Sequence, residues 1–331
     1  MWEIVIKGNS YFNDFTRIEW SGGINGSARV LEVDYISELK AEVGDKVEFK
    51  EDGITLFIGK IFTINRYANR DTFTFVAFDN AIYLNRNRFV KNIYNQQPSQ
   101  ILKQLCGEIG LQVGNIPEDK VKCSFPAINR SAYEIILQAY TIQHKKDKEI
   151  YSVVCNGEKI EIAYQGILLN TELNTGDVIR EAEYTQSIEE MINQIVVYET
   201  KGEKLQILNK VSNEEDKKKY GVFQDVMEFD KEQNNLYNAN EMLKGLDNKA
   251  NIQVDGDTRL ISGYTVPVIE NVTGLIGKFL IEKDRHIIEN GDYYTHLILS
   301  FENKMDKVEF DEFKRKAKRK KHSIQETFEK E

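Results

Sequence analysis

Residues Val43 to Leu84 constrain this chain more than any other stretch, because they spell out three consecutive β-strands. Val47 and Phe49 alternate with Lys46, Glu48 and Lys50, and Phe73, Phe75 and Ala77 alternate with Thr72 and Thr74. That period of two is what a half-buried sheet imposes. The middle strand, residues 54–64, is more continuously apolar and contains Gly59, where a glycine marks a bulge or a close backbone approach and lets a sheet bend into a barrel. A weaker copy of the phrase returns more than two hundred residues later. Gly44-Asp-Lys-Val47-Glu-Phe49 is echoed by Gly263-Tyr-Thr-Val266-Pro-Val268, and residues 58–64 by 276–282, while residues 294–301 supply a third strand. Antiparallel sheets resemble one another by coincidence over such lengths. The sharper reading is two related barrels in one chain.

The chain between the copies reads differently. Residues 3–6 and 28–35 are strand-like around the glycine-rich stretch 21–26, which lacks the lysine and the strand-to-helix setting of a phosphate-binding loop and reads as a hairpin or long turn. After Phe89 the period changes. Pro98 suits the first turn of a helix whose stripe is Ile101, Leu102, Leu105 and Ile109, and Ser131 with Glu134 forms a capping box for a second helix that ends in the charged run 145–148. Asn156-Gly157 between two apolar runs signals a hairpin. Residues 177–184 and 191–198 read as strands, 212–219 as a polar, mobile span, and 234–250 as a helix with Leu236, Ala239, Leu243 and Leu246 on one side. The expected organisation is a first barrel at 1–95, an α/β insertion at 96–170, a second barrel with a helix at 171–302 and a basic amphipathic helix at 303–331. The expected fold class is β-rich α+β.

Composition bounds the function. At 331 residues the chain suits more than one core, and 17 Phe and 16 Tyr against 4 Pro favour ordered sheet. The start has no basic head before a long apolar core, and no apolar run is long enough to span a bilayer, so the expectation is a protein made and kept in a cytoplasm, without a membrane partner. Cys106, Cys123 and Cys155 are odd in number and lack metal-ligand spacing, which implies reduced thiols. A net charge of −9 argues against a nucleic-acid binder. One run is the exception. Lys314, Arg315, Lys316, Lys318, Arg319, Lys320 and Lys321 lie on a stretch whose Phe310, Phe313, Ala317, Ile324 and Phe328 have helical spacing, and they form a candidate partner-binding surface. Long basic runs also stay solvated without a partner.

No catalytic constellation stands out, and no cofactor is implied. Cys106 with His144 as base would make a thiol nucleophile, but Cys106 sits beside an apolar helix stripe, where a free cysteine is usually a small hydrophobe. His286 and His296 lie on consecutive strands without further ligands for a metal. Asp255-Gly-Asp257 lacks the longer run of oxygen ligands that a calcium loop needs, and Gly274 to Lys278 lacks the first glycine and the following Ser/Thr of a phosphate-binding loop. The reading is non-enzymatic. The alternatives are a cell-wall hydrolase, for which no paired carboxylates or Cys/His/Asn set stands out, and a carbohydrate-binding module, for which Tyr264, Tyr293 and Tyr294 are the thin support.

Residues 43–47, 56–61, 78–79 and 83–84 resemble the N-terminal barrel of the hub proteins of contractile phage tails, specifically the XkdQ-like group. Residues 101–106, Gly110, Leu111 and 114–117 resemble that group's helical insertion. Residues 191–193, Tyr220 and Gly221 resemble its second barrel, and 277–281, Asp284, His286 and Gly291 its closing strands. The resemblance implies a structural homotrimer, a baseplate hub that joins the hexameric tail tube protein to the trimeric spike protein of a contractile injection particle. It also implies contacts with other baseplate proteins, no specific nucleic acid, and assembly in the bacterial cytoplasm before release in a phage tail or phage-tail-like bacteriocin. Two tube-like barrels per chain would let three copies match a sixfold tube.

Overall fold

The computed structural model describes residues 1–301 except 27, 37, 38, 67, 69, 70, 203, 232 and 233. Before the first helix the chain forms β1 (Trp2–Ile6), β2 (Asn9–Tyr11), β3 (Phe15–Gly23), β4 (Val30–Ile36), β5 (Lys46–Glu51), β6 (Ile54–Asn65) and β7 (Thr72–Phe78). Alternation decides which face is buried. Ile18 and Trp20, Leu31 and Val33, Val47 and Phe49, and Phe75 and Ala77 are each at most 1% exposed, and the residues between them are not. There follow α1 (Ile82–Arg86), β8 (Arg88–Gln96), α2 (Pro98–Glu108), β9 (Gln112–Val113), β10 (Cys123–Ser131), α3 (Ala132–Asp147), β11 (Tyr151–Asn156) and β12 (Lys159–Tyr164). The remainder comprises β13 (Ile167–Leu168), β14 (Leu173–Asn174), β15 (Ile179–Ser187), β16 (Gln194–Lys201), β17 (Lys204–Ser212), α4 (Glu214–Tyr220), β18 (Gln224–Glu228), α5 (Asn235–Glu241), β19 (Asp247–Asp255), β20 (Tyr264–Glu270), β21 (Leu275–Glu289) and β22 (Asp292–Ser300).

Contacts divide the described chain into two units, one of Met1–Asn25, Arg29–Phe78 and the described residues from Tyr164 to Phe301, the other mainly Asp79–Ala163. In the latter unit, β8 pairs with β10, and β11, β12 and β9 form a small sheet. The apolar stripe of α2, Ile101, Leu102, Leu105 and Cys106, is buried against Ile135, Ile136 and Ala139 of α3. α3 starts where the sequence says it should. Ser131 Oγ accepts from the Glu134 amide at 3.1 Å and the Glu134 carboxylate accepts from the Ser131 amide at 2.7 Å, which satisfies two of the orphan donors of the first turn.

The other unit is built on one long sheet in the order β15-β19-β22-β21-β3-β4-β7-β6-β5-β1-β2, with β20 added to β21. Inside that path the same four-stranded piece occurs twice, as β3-β4-β7-β6 and as β15-β19-β22-β21. The irregularities repeat with it. The β3–β4 ladder shifts register between Phe15 and Arg17, and the β15–β19 ladder shifts between Ile179 and Glu181. The β6–β7 ladder shifts between Ile61 and Thr63, and the β21–β22 ladder between Ile281 and Lys283. Bulges bend and twist a strand at a fixed place, so their recurrence at corresponding positions marks a structural repeat rather than a generic likeness of sheets. Leu31 and Val33 of β4 then correspond to Ala250 and Ile252 of β19, all buried. One detail of the sequence echo shifts. Aligned on the bulges, Ile61 matches Ile281, so Gly59 falls at Phe279 rather than at Gly277.

Gly59 has its own reason. A Cβ there would collide with the Phe78 carbonyl oxygen and lie 2.6 Å from the Phe57 ring. Gly59→Ala is therefore expected to lower stability by about 1–3 kcal/mol, the range for overpacking a filled site, read as a lower urea midpoint at unchanged slope.

Two assignments in the middle of the chain are corrected. Residues 212–219, expected to be a polar, mobile span, overlap α4, whose capping Asn213 side chain accepts from the Glu215 and Asp216 amides. Glu214, Glu215 and Asp216 begin the helix and Lys217, Lys218 and Lys219 end it, which complements the helix dipole. The helix expected over 234–250 stops at Glu241. Residues 247–255 are instead a strand, in which Ala250, Ile252 and Val254 alternate into the core and both edges find partners in β15 and β22. β3, β8 and β10 were not among the expected strands, although Ile18 and Trp20 show the same alternation.

Candidate functional site

The chemistry-bearing residues singled out in the sequence do not converge. The basic cluster from Lys314 to Lys321 lies outside the described residues. Cys106 is fully buried and burial pushes its thiol up to about 11, which disfavours the thiolate a nucleophile requires. His144 holds the Glu149 carbonyl through Nδ1 at 2.7 Å. His286 and His296 face opposite sides of the sheet, since His296 is directly across from Arg285 and His286 is across from Thr295. Asp255 and Asp257 are occupied by Arg180 and Arg259, each at 2.6 Å. Among the described residues no group of three or more His, Cys, Asp and Glu is placed to hold a metal. Tyr293 lies against Trp2 and His286 on the core side, whereas Tyr294 is on the other face with its hydroxyl on Glu289, so these tyrosines do not form one exposed platform.

What the fold does bring together is the junction between the two four-stranded pieces. β21 spans 15 residues, and its last part, Lys283 to Glu289, pairs antiparallel with Gly23 to Arg17 of β3. On the polar face the junction is crossed by Arg285 to Glu19 at 2.7 Å and Arg17 to Glu289 at 3.5 Å. Partly exposed pairs of this kind contribute about 0.2–1 kcal/mol each. On the core face it holds a buried charged latch. Arg29 reaches Asp284 with both guanidinium ends, Nη1 at 3.1 Å from Oδ1 and Nη2 closer still to Oδ2, and the Ser262 amide donates to Oδ1 at 2.7 Å. Gly22, directly across from Asp284, has no side chain, and a Cβ there would collide with the Arg29 guanidinium. The same guanidinium lies 4.1 Å over the Trp20 ring, which in turn packs on His286 at 4.9 Å. His286 Nδ1 is 2.9 Å from the Tyr293 hydroxyl and its Nε2 is 3.4 Å from Asp284. Burial opposes ionisation of Asp284, but the Arg29 charge and its two hydrogen bonds outweigh it and hold the carboxyl well below the usual carboxylate range.

Sequence reasoning named His286, and Asp284 with it in the family resemblance, without the role of either, and did not single out Arg29. The available signal was parity, because Asp284 and His286 share the inward phase of Ile288. Arg29 is 255 positions away and nothing local points to it.

Two further surfaces bear on assembly. β15 ends the long sheet, and the last part of β6, beyond the stretch paired with β5, has β7 on one side and no strand on the other among the described residues. In the three-stranded sheet β17-β16-β18, Ile195 and Val197 face α5, while Ile207 and Val226 are 63% and 52% exposed on the opposite face.

The profile of the YQBQ-like family matches residues 18–300. No curated protein matches the sequence. Among solved structures, the chain is similar to the 43 kDa tail protein of prophage MuSo2 from Shewanella oneidensis, with 13% identity, a TM-score of 0.72, and coverage of 90% of this chain and 97% of that one. It is also similar to a tail protein from Neisseria meningitidis MC58, with 12% identity, a TM-score of 0.65, and coverage of 90% and 95%. A third likeness is to prophage tail protein gp18 from Listeria monocytogenes EGD-e, with 12% identity, a TM-score of 0.51, and coverage of 90% and 94%. The fold is thus the one seen in prophage tail proteins, as the resemblance in the sequence implied. With the family profile spanning nearly the whole described chain, the protein belongs to the YQBQ-like family.

Proposed function

We propose that this chain is a non-enzymatic structural hub of a contractile tail, a trimer that joins the hexameric tail tube to the trimeric spike. The observation that carries the reading is the bulge-matched repetition of β3-β4-β7-β6 as β15-β19-β22-β21 in one continuous sheet. Two equivalent sheet pieces per chain let three copies offer six, which reconciles a threefold partner with a sixfold one. The solved tail proteins of the same fold support a place in a tail particle. The polar face of the repeated sheet carries Glu19, Glu32, Asp34, Glu181, Glu183 and Glu289 against Arg17, Lys249, Lys283 and Arg285, and such an acidic excess lining a channel would keep DNA from adhering in transit. The basic run from Lys314 to Lys321 is read as a docking segment for an acidic spike or baseplate partner.

The test is electron microscopy of particles from a producing strain in which the gene is deleted. Tubes and baseplates should fail to join, so that sheathed tails are absent. Normal particles that merely fail to bind or penetrate cells would overturn the hub reading. In the same system, removal of residues 303–331 should leave tails that lack one neighbouring baseplate protein by mass spectrometry, and an unchanged composition would reject the docking role.

A further inference from the structure

The first sheet piece carries a cavity that the hub reading does not use. It measures about 490 Å³, the size of a small-molecule site, and lies where β2, the start of β7 and the chain between β4 and β5 meet. Its floor is apolar. Leu39 and Ala41 are each 4% exposed and pack into the first core, and the Tyr35 ring, 1% exposed, lies 5.7 Å from that of Phe73. The Tyr35 hydroxyl makes no hydrogen bond among the described residues. Buried tyrosine hydroxyls are normally paired, so an open one on a cavity wall points to a partner from outside the chain. Burial raises this phenol above its ordinary value, against the pull of the Arg66 charge, so at neutral pH it keeps a proton to donate.

The rim is basic on an acidic protein. Lys40 and Arg66 line the cavity without an ion pair among the described residues. Lys7 also lines it but is taken up by Glu42 at 2.8 Å and Asp45 at 3.1 Å, so Lys40 and Arg66 are the charges left to meet a ligand. Two open cations and a phenol donor on one side suit the oxygens of a doubly charged phosphate monoester. The other side differs. Tyr11 and Phe73 are partly exposed, and flat rings there can take the C–H face of a sugar while Asn9 and Glu42 offer hydrogen bonds to its hydroxyl groups. We propose that this cavity binds a monosaccharide phosphate, its phosphate on Lys40, Arg66 and the Tyr35 hydroxyl and its ring on Tyr11 and Phe73. The site is built within one copy of the first sheet piece, so it depends neither on the number of copies nor on a neighbouring protein.

The experiment titrates the full chain with glucose 6-phosphate, and separately with glucose and with inorganic phosphate, by calorimetry at low salt, with saturation-transfer NMR to detect weak binding. Glucose 6-phosphate should bind about tenfold more tightly than either half alone. Lys40→Ala and Arg66→Gln change exposed side chains that should not disturb folding, and each should weaken it about tenfold or more. Tyr35→Phe, which removes only the hydroxyl, should weaken it about fivefold. Lys103→Ala, on the exposed side of α2 and away from the cavity, should change nothing. Inorganic phosphate that binds as tightly as glucose 6-phosphate overturns the sugar half. Binding that survives Lys40→Ala and Arg66→Gln, or that Lys103→Ala weakens equally, overturns the assignment to this cavity. Absence of binding by glucose 6-phosphate in both measurements overturns the proposal and leaves the hub reading standing.

Discussion

Replacing Asp284 with Ala is expected to destabilise the sheet-bearing unit by about 3–5 kcal/mol, because it leaves the Arg29 guanidinium buried without its counter-charge. The Asp284 side chain is 0% exposed and that of Arg29 is 16% exposed, so water cannot readily take over. The Ser262 amide would lose its acceptor as well. Urea unfolding followed by circular dichroism measures the loss. The double change Asp284→Leu with Arg29→Met removes both charges and should recover most of it, since a well-packed apolar pair can replace a buried ion pair at little cost. If the double variant is no better than the single one, the geometry around Ser262 and Gly22 matters more than the charge. The same latch sets an acid limit. Its carboxyl titrates far below an unfolded value of about 3.9, so its contribution is complete above that value and declines as pH falls from there through the folded value. The Asp284→Leu/Arg29→Met protein should therefore lose less stability than the wild type between neutral pH and strong acid.

Trp20→Ala should cost a similar amount, about 3–5 kcal/mol, by a different route. Trp20 is 1% exposed, 6.3 Å from the Phe49 ring, 4.9 Å from His286 and covered by Arg29. Its removal opens a cavity under the junction and takes away the face on which the guanidinium rests. For a unit of this size each kcal/mol moves the melting temperature by about 2–4 °C, so a shift on the order of 10 °C is expected. Circular dichroism is the right probe, because tryptophan fluorescence would lose one of only two reporters. Trp20→Phe should retain most of the stability. Because Trp20 touches Arg29, the losses of Trp20→Ala and Asp284→Ala should not add, and the size of the shortfall measures the coupling.

Much of the architecture was legible because it depends on local rules. The alternation at Val47, Phe49, Phe73 and Phe75, the box at Ser131 and Glu134, and the Asn156-Gly157 turn each fix an element from its own residues, and the structure shows those elements. The failures had competing local signals. Leu236, Ala239, Leu243 and Leu246 have helical spacing, but the strand β19 that follows α5 is stabilised by two neighbours from distant parts of the chain, and that tertiary pairing outweighs propensity. α4 was readable from Asn213, the acidic first turn and the basic last turn, and was obscured by its lack of any buried side chain. The latch was half readable at most, because parity turns Asp284 inward while nothing local points to Arg29. A buried aspartate looks like an error in a strand until Arg29 is known to lie across it.

The bulge-matched halves also have a kinetic meaning. A ring built from identical one-unit subunits has one kind of junction, and all of its junctions must form by collision. Here one kind is tethered within the polypeptide, so it closes during folding at a rate and an equilibrium that do not depend on protein concentration. The corresponding positions have diverged accordingly: Asp284, with its arginine, occupies the tethered junction, whereas its counterpart in the first sheet piece is Ile64. Half of the seams in such a ring would be permanent, and the other half would answer to mass action. Dilution or a competing strand should open the ring only at alternate seams, leaving each chain intact as a two-unit arc.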